Sequence, residues 1–186
     1  MKRLGIALVL SGVIWVACNQ QITIPFEYSF TVSLSDIHMT SQQTALLQTQ
    51  TSFYKRVIDV GQYWSLYNQL QNFIQNVTLD SARVRIINAS PDSAKLWAFV
   101  SADTSLDMNT VGQADSLAHF EIGPNDTVTI SGTEYLNYFY ASGIQTLVND
   151  LIPSGLFAAY LLAEAGDSLD LFVDSLTLFI TVSGEQ

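Results

Sequence analysis

Between residues 22 and 34 the side chains alternate without a miss. Ile22, Ile24, Phe26, Tyr28, Phe30, Val32 and Leu34 are apolar, and Thr, Pro, Glu or Ser stands between each pair. Successive side chains leave a pleated backbone on opposite sides, so a period of two sustained this far predicts a long β-strand with one buried face. Such a strand can bury its apolar side only against a second layer. Pro25 has no amide donor, which favours an edge or strand-start position.

The rest of the chain supplies that second layer. Residues 35–51 are polar and rich in Gln, Thr and Ser, and read as a loop. Residues 52–60 alternate again and predict a second strand. The period then changes: Val60, Tyr63, Trp64, Tyr67, Leu70, Phe73, Ile74 and Val77 follow helical spacing, with Asp59 and Gln62 placed as a capping box. One amphipathic α-helix near residues 60–76 is expected. Strand character returns over 77–88, with a change of phase at Ser81 and Ala82 that predicts a bulge. The corner Asn88-Ala89-Ser90-Pro91-Asp92 leads into a strand over 94–101, and the two read as a hairpin-like unit. Short strands at 117–122 and 127–131 flank the turn Gly123-Pro124-Asn125-Asp126. Residues 134–152 suit one or two short helical turns. Strands over 156–164 and 168–182 read as a hairpin, with another change of phase at Asp174-Ser175. The sum is a mainly β chain: an antiparallel β-sandwich of about 8–9 strands, folded as one domain over residues 22–186.

The start of the chain has a different composition. Lys2 and Arg3 precede an apolar run over 4–16, followed by Ala17 and the single cysteine, Cys18. The run falls short of the roughly 20 residues a membrane-spanning helix needs. Its order resembles a bacterial lipoprotein signal peptide, with Trp15 where that family usually carries an aliphatic residue. The resemblance implies removal of residues 1–17, lipidation of Cys18, a short tether over 18–21, and a domain held at the outer membrane of a cell envelope, facing the periplasm or the surface. A second resemblance is shorter. Val84-Arg85-Ile86-Ile87-Asn88-Ala89-Ser90-Pro91-Asp92 is similar to the opening of a repeat found in bacterial cell-surface β-sandwich proteins, which implies a sandwich and no activity.

Charge and motifs narrow the chemistry. Beyond residue 17 five basic residues (Lys55, Arg56, Arg83, Arg85, Lys95) face seventeen acidic ones, and none lies after Lys95. A chain with no basic footprint is expected to have no nucleic-acid partner. Neither histidine, His38 in an expected loop or His119 in an expected strand, sits in a zinc motif, and no serine-hydrolase elbow or phosphate loop occurs. Asp103, Asp107, Asn109 and Asp115 lack the order of a calcium loop. No catalytic residue, metal or cofactor is expected. The candidate ligand or partner surface is aromatic: Tyr135, Tyr138 and Tyr140, with Trp64 on the helix. The function expected is that of a non-enzymatic envelope lipoprotein, an interaction or accessory subunit with a protein partner in the envelope and the membrane as its second partner through Cys18. The alternative is a glycan- or lipid-binding sandwich, with a carboxylate enzyme behind it.

Overall fold

The computed structural model describes residues 24–40 and 49–186. The leader, the tether, Cys18 and residues 41–48 of the expected 35–51 loop lie outside the described residues. Eight strands form: β1 (Pro25–Thr40), β2 (Gln50–Asp59), β3 (Ile74–Asn88), β4 (Ala94–Ser101), β5 (Asp115–Ile122), β6 (Thr127–Ile130), β7 (Leu156–Ala165) and β8 (Asp170–Glu185). They assemble into two four-stranded sheets, one in the order β1-β8-β3-β6 and the other in the order β2-β7-β4-β5. All pairings are antiparallel. Apart from β4 and β5, no two consecutive strands share a ladder, because the chain steps from one sheet to the other at each connection. The topology is a jelly roll.

That stepping changes how the expected hairpins are to be understood. The corner at 88–92, the turn at 123–126 and the turn at 166–169 each join strands of opposite sheets. They are corners, and one knot of polar groups holds them at the same end of the sandwich. Asn88 Nδ2 donates to the carbonyls of Asp92 (2.7 Å) and Gly123 (2.9 Å). Ser90 Oγ donates to Asn88 Oδ1 at 2.7 Å, and Asp92 Oδ2 accepts from the amides of Asp167 (2.9 Å) and Ser168 (3.0 Å). Asn88 and Ser90 are buried, at 1% and 2% exposure, and their mutual satisfaction is what makes that burial tolerable.

Both expected bulges are present. Asp80 is the extra residue of β3 where Leu79 and Ser81 face Ile180 and Phe179, and Asp174 is the extra residue of β8 where Arg85 and Ile86 face Ser175 and Val173. At the level of Asp174, β1 also changes phase, through Asp36 with φ 57°. The two strands therefore exchange faces together, and Leu34, Ile37, Val173 and Leu176 all remain inside.

The region expected to be one helix is broken. Asp59 caps α1 (Val60–Tyr63) by accepting from the Gly61 amide at 2.9 Å. The chain turns extended at Trp64, re-enters α2 (Tyr67–Leu70), makes a 3-10 turn and joins β3 at Ile74. The break lets Trp64 enter the end of the sandwich, where it stacks on Tyr28 (5.5 Å between centroids) and Phe30 (6.2 Å) and meets Tyr67 edge-on (5.8 Å). Fully burying so large a ring outweighs a few helical hydrogen bonds. The 134–152 region is more helical than expected: a 3-10 segment over Gly132–Asn137, then α3 (Ala141–Thr146), continuing through a π turn to Ser154.

The interior between the sheets is filled by side chains such as Phe30, Leu34, Leu96, Phe120, Phe157, Leu161 and Leu178. A second apolar cluster lies outside it. On the outer face of the β2-β7-β4-β5 sheet, Phe99, Ala158 and Tyr160 are covered by Leu106 and Val111 of the loop between β4 and β5.

Candidate interaction surface

Between the sheets the described residues leave a void of about 20 Å³, and its lining is apolar apart from Tyr160. That volume holds about one water. Among the described residues no group of three His, Cys, Asp or Glu side chains is placed to hold a metal. His38 lies in β1, not in a loop, and its Nε2 contacts Asp170 Oδ1 at 2.6 Å in solvent. His119 stacks on Trp97 at 5.0 Å. The two belong to a cross-strand row Phe53, Leu162, Trp97, His119 that runs over the whole outer face of the second sheet. All four are half-buried beside the second cluster.

The acidic loop between β4 and β5 spends its carboxylates on itself. Asp103 Oδ1 accepts from the Ser105 hydroxyl (2.6 Å) and amide (2.8 Å). Asp107 Oδ1 accepts from the Thr110 hydroxyl (2.9 Å) and from the amides of Asn109 (2.9 Å) and Thr110 (3.0 Å). The hydroxyl bonds and then the amide bonds pull both carboxyls below the usual aspartate range. These groups set loop shape, and Tyr160 anchors the loop by donating its hydroxyl to the Asp103 carbonyl.

The four aromatic candidates do not form one surface. Trp64 is 0% and Tyr135 5% exposed, whereas Tyr138 is 39% and Tyr140 43% exposed. Tyr135 anchors the 3-10 segment to β3, donating to the Leu79 carbonyl at 2.9 Å, and lies edge-on to Phe139 at 5.4 Å. Tyr138 and Tyr140 flank Phe139, which bridges to Ala118 and carries this short stretch along the outer edge of β5. The His119 amide donates to the Tyr138 carbonyl (3.2 Å), and the Tyr140 amide donates to that of Leu117 (2.9 Å). Edge coverage turns Phe139 inward and leaves Tyr140 and one side of Tyr138 exposed, the Tyr138 ring stacking on Phe120 at 5.8 Å. Leu136, at 62% exposure, joins them, although its helical spacing with Phe139 and Tyr140 in the sequence marks it for a buried face. The fifth expected position, Cys18, lies outside the described residues.

The other sheet edges differ. β6 is four residues long. β1 and β2 lie at the same side of the sandwich, each the last strand of its sheet among the described residues. Arg56 of β2 reaches over to β1 and donates from Nη1 to the Ser33 carbonyl at 3.2 Å. The remaining cations are dispersed: Arg85 meets Asp174 at 3.2 Å on one sheet, and Lys95 meets Glu121 at 3.9 Å on the other.

No family model matches the chain, and none of the curated proteins matches it in sequence. Among solved structures it is similar to that of mud crab tombus-like virus (11% identity, TM-score 0.44, covering 90% of this chain and 84% of that one). It is also similar to the decameric capsid protein of BFDV (9%, 0.41, 86% and 99%). A third is the semi-empty VLP of the giant freshwater prawn Macrobrachium rosenbergii nodavirus (17%, 0.40, 90% and 97%). The likeness is one of fold. These neighbours are proteins of viruses, one of them a capsid protein, where an envelope lipoprotein was expected; the lipid-anchored envelope accessory is corrected and not carried further. The bacterial lipoprotein resemblance, the outer-membrane location, the membrane and envelope partners and the exclusion of nucleic acid fall with it. The stretch Val84–Asp92 forms the end of β3 and the corner whose Asn88 and Ser90 are buried.

Proposed function

We propose that this chain is a non-catalytic structural building block, a jelly roll that works by associating with copies of itself through the surface of Leu136, Tyr138 and Tyr140. The filled apolar interior supports the reading. A jelly roll that carries chemistry inside needs room and inward polar groups, and this one leaves a void of about 20 Å³. What remains is the surface, where three large apolar side chains stand in solvent within five residues on the scaffold of β5. Tyrosines held on a rigid edge supply contact area at little entropic cost, which is why they are enriched at protein interfaces.

Sedimentation velocity of the purified protein over a wide concentration range tests this. Association is expected, and the double variant Tyr138→Ser/Tyr140→Ser is expected to weaken it at least about tenfold, the loss of roughly 1.4 kcal/mol or more that interface anchors carry. Its thermal midpoint should stay within a few degrees of wild type. Unchanged association in the double variant overturns the proposal.

A further inference from the structure

Sheet edges in native proteins are guarded by charge, proline, bulges or a covering segment, because an open edge is a template for another strand. The β5 edge is covered and β6 is short. β1 is neither. From Pro25 opposite Glu185 to Ser35 opposite Ser175 its register with β8 runs without a shift. Between Tyr28 and Ser35 it contains no charge and no proline. Within β1 itself the guards stand only at the two ends: Pro25 and Glu27 before, and Asp36, with φ 57°, after. Eight residues of regular, uncharged edge lie between them.

The direction of the free backbone groups follows from Arg56. Its guanidinium binds the Ser33 carbonyl from β2, so that carbonyl points away from β8. Residues two apart on an antiparallel strand point their amide and carbonyl the same way. Ser29, Thr31 and Ser33 therefore offer theirs outward, while Phe30, Val32 and Leu34 spend theirs on β8 and their side chains on the core.

We propose that β1 pairs antiparallel with β1 of a second copy about a two-fold axis at Thr31, joining the β1-β8-β3-β6 sheets of both copies into one. In that register Thr31 faces Thr31, and Ser29 faces Ser33, each pair exchanging both of its backbone hydrogen bonds. Like faces meet: Phe30 lies opposite Val32 and Tyr28 opposite Leu34 on the inner side, with hydroxyls opposite hydroxyls on the outer. Glu27 falls opposite Ser35 and Asp36 opposite Phe26, so no like charges are opposed. This self-complementarity singles out a second copy as the occupant. A chain of formal net charge -10 can approach itself closely only where it carries no charge. Arg56 must release Ser33 for the pair to form, which makes it a guard of the single copy.

The proposal rests on the self-association reading but uses a different surface, and the variants separate the two. Thr31→Pro removes an outward amide and leaves the β8 ladder intact; Thr31→Lys places two lysines face to face at the axis. Both are expected to lower dimer formation in sedimentation at least about tenfold with little change in thermal midpoint, whereas Tyr138→Ser/Tyr140→Ser leaves this dimer in place. In a Cys18→Ser background, Thr31→Cys is expected to form a cross-linked dimer on mild oxidation, because the facing Cα atoms of a hydrogen-bonded pair lie about 5.5 Å apart. Thr40→Cys, exposed on the same strand but nine residues from the axis, should not. Full dimerisation of both edge variants, or no cross-link through Thr31→Cys, overturns the edge pairing. If the tyrosine variants still dissociate the protein, the reading of the 136–140 surface survives that outcome.

Discussion

Gly143 stands where α3 crosses β5, and a methyl group there has nowhere to go. Its Cβ would come within 2.2 Å of the Ser116 carbonyl oxygen and 2.8 Å of the Leu117 Cα, both backbone atoms that cannot rotate aside. Gly143→Ala is expected to cost about 1–3 kcal/mol through forced separation of helix and strand. Gly112→Ala, where a Cβ meets nothing within 4 Å, should stay within about 0.5 kcal/mol. Urea denaturation of the two variants measures the contrast. Residues of this kind were illegible in sequence, because a glycine needed for closeness looks like any other. The aromatic candidates show the same limit. Helical spacing of Trp64, Tyr67 and Leu70 marked a buried face correctly but not that Trp64 leaves the helix to be buried. A spacing of three would put Tyr135 and Tyr138 on one face of a 3-10 turn, but the segment ends at Asn137 and Tyr138 already belongs to the stretch that runs along β5.

At the scale of elements, tyrosine hydroxyls tie the irregular segments to the sheets. Tyr67 donates to the Pro153 carbonyl at 2.6 Å, Tyr135 to that of Leu79, and Tyr160 to that of Asp103. Burial raises the pKa of all three, and neighbouring carboxylates at Asp59, Asp80 and Asp103 add to it. The folded state thus holds these protons more tightly than the unfolded chain. Their contribution is complete below the ordinary tyrosine value of about 10 and is lost as pH rises through the raised folded values. Stability measured by denaturant between pH 8 and 11 is expected to fall steeply from about pH 10. A Tyr67→Phe/Tyr135→Phe/Tyr160→Phe protein should start lower and fall less. The strands themselves were largely legible, and so were the bulges at Asp80 and Asp174, because a buried face writes its period and any change of phase into the sequence. The partnership of the strands was not. Asn88-Ala89-Ser90-Pro91-Asp92 has the chemistry of a turn whether the next strand returns beside the first or crosses to the other sheet. Only the placement of Gly123 and Ser168 against Asn88 and Asp92 distinguishes the two.

At the scale of the whole molecule, most contacts join residues far apart in sequence, as when Phe26 faces Gly184 and Tyr54 faces Leu161. Folding is expected in the slow range of non-local β-proteins, milliseconds to seconds. β8 lies between β1 and β3 and is the strand through which that sheet exists. Deleting residues 170–186 is expected to abolish the cooperative unfolding transition and the near-ultraviolet circular dichroism of the aromatic core, since β1 and β3 share no ladder of their own. A truncated chain that kept both would mean the second sheet and its loop cluster stand alone.

That central place of β8 sets an order of events during synthesis. β1 leaves the ribosome early, and the strand that must lie beside it follows after some 130 residues, Thr40 to Asp170. At about 5–20 residues per second the interval is roughly 7–26 s. Throughout it β1 has two open edges instead of one, in a cell where other nascent copies carry the same uncharged stretch on the same polysome. Pro25, Glu27 and Asp36 limit what such a strand can pair with before its own partner exists. The two ends of β1 thus guard the newborn chain as much as the finished one.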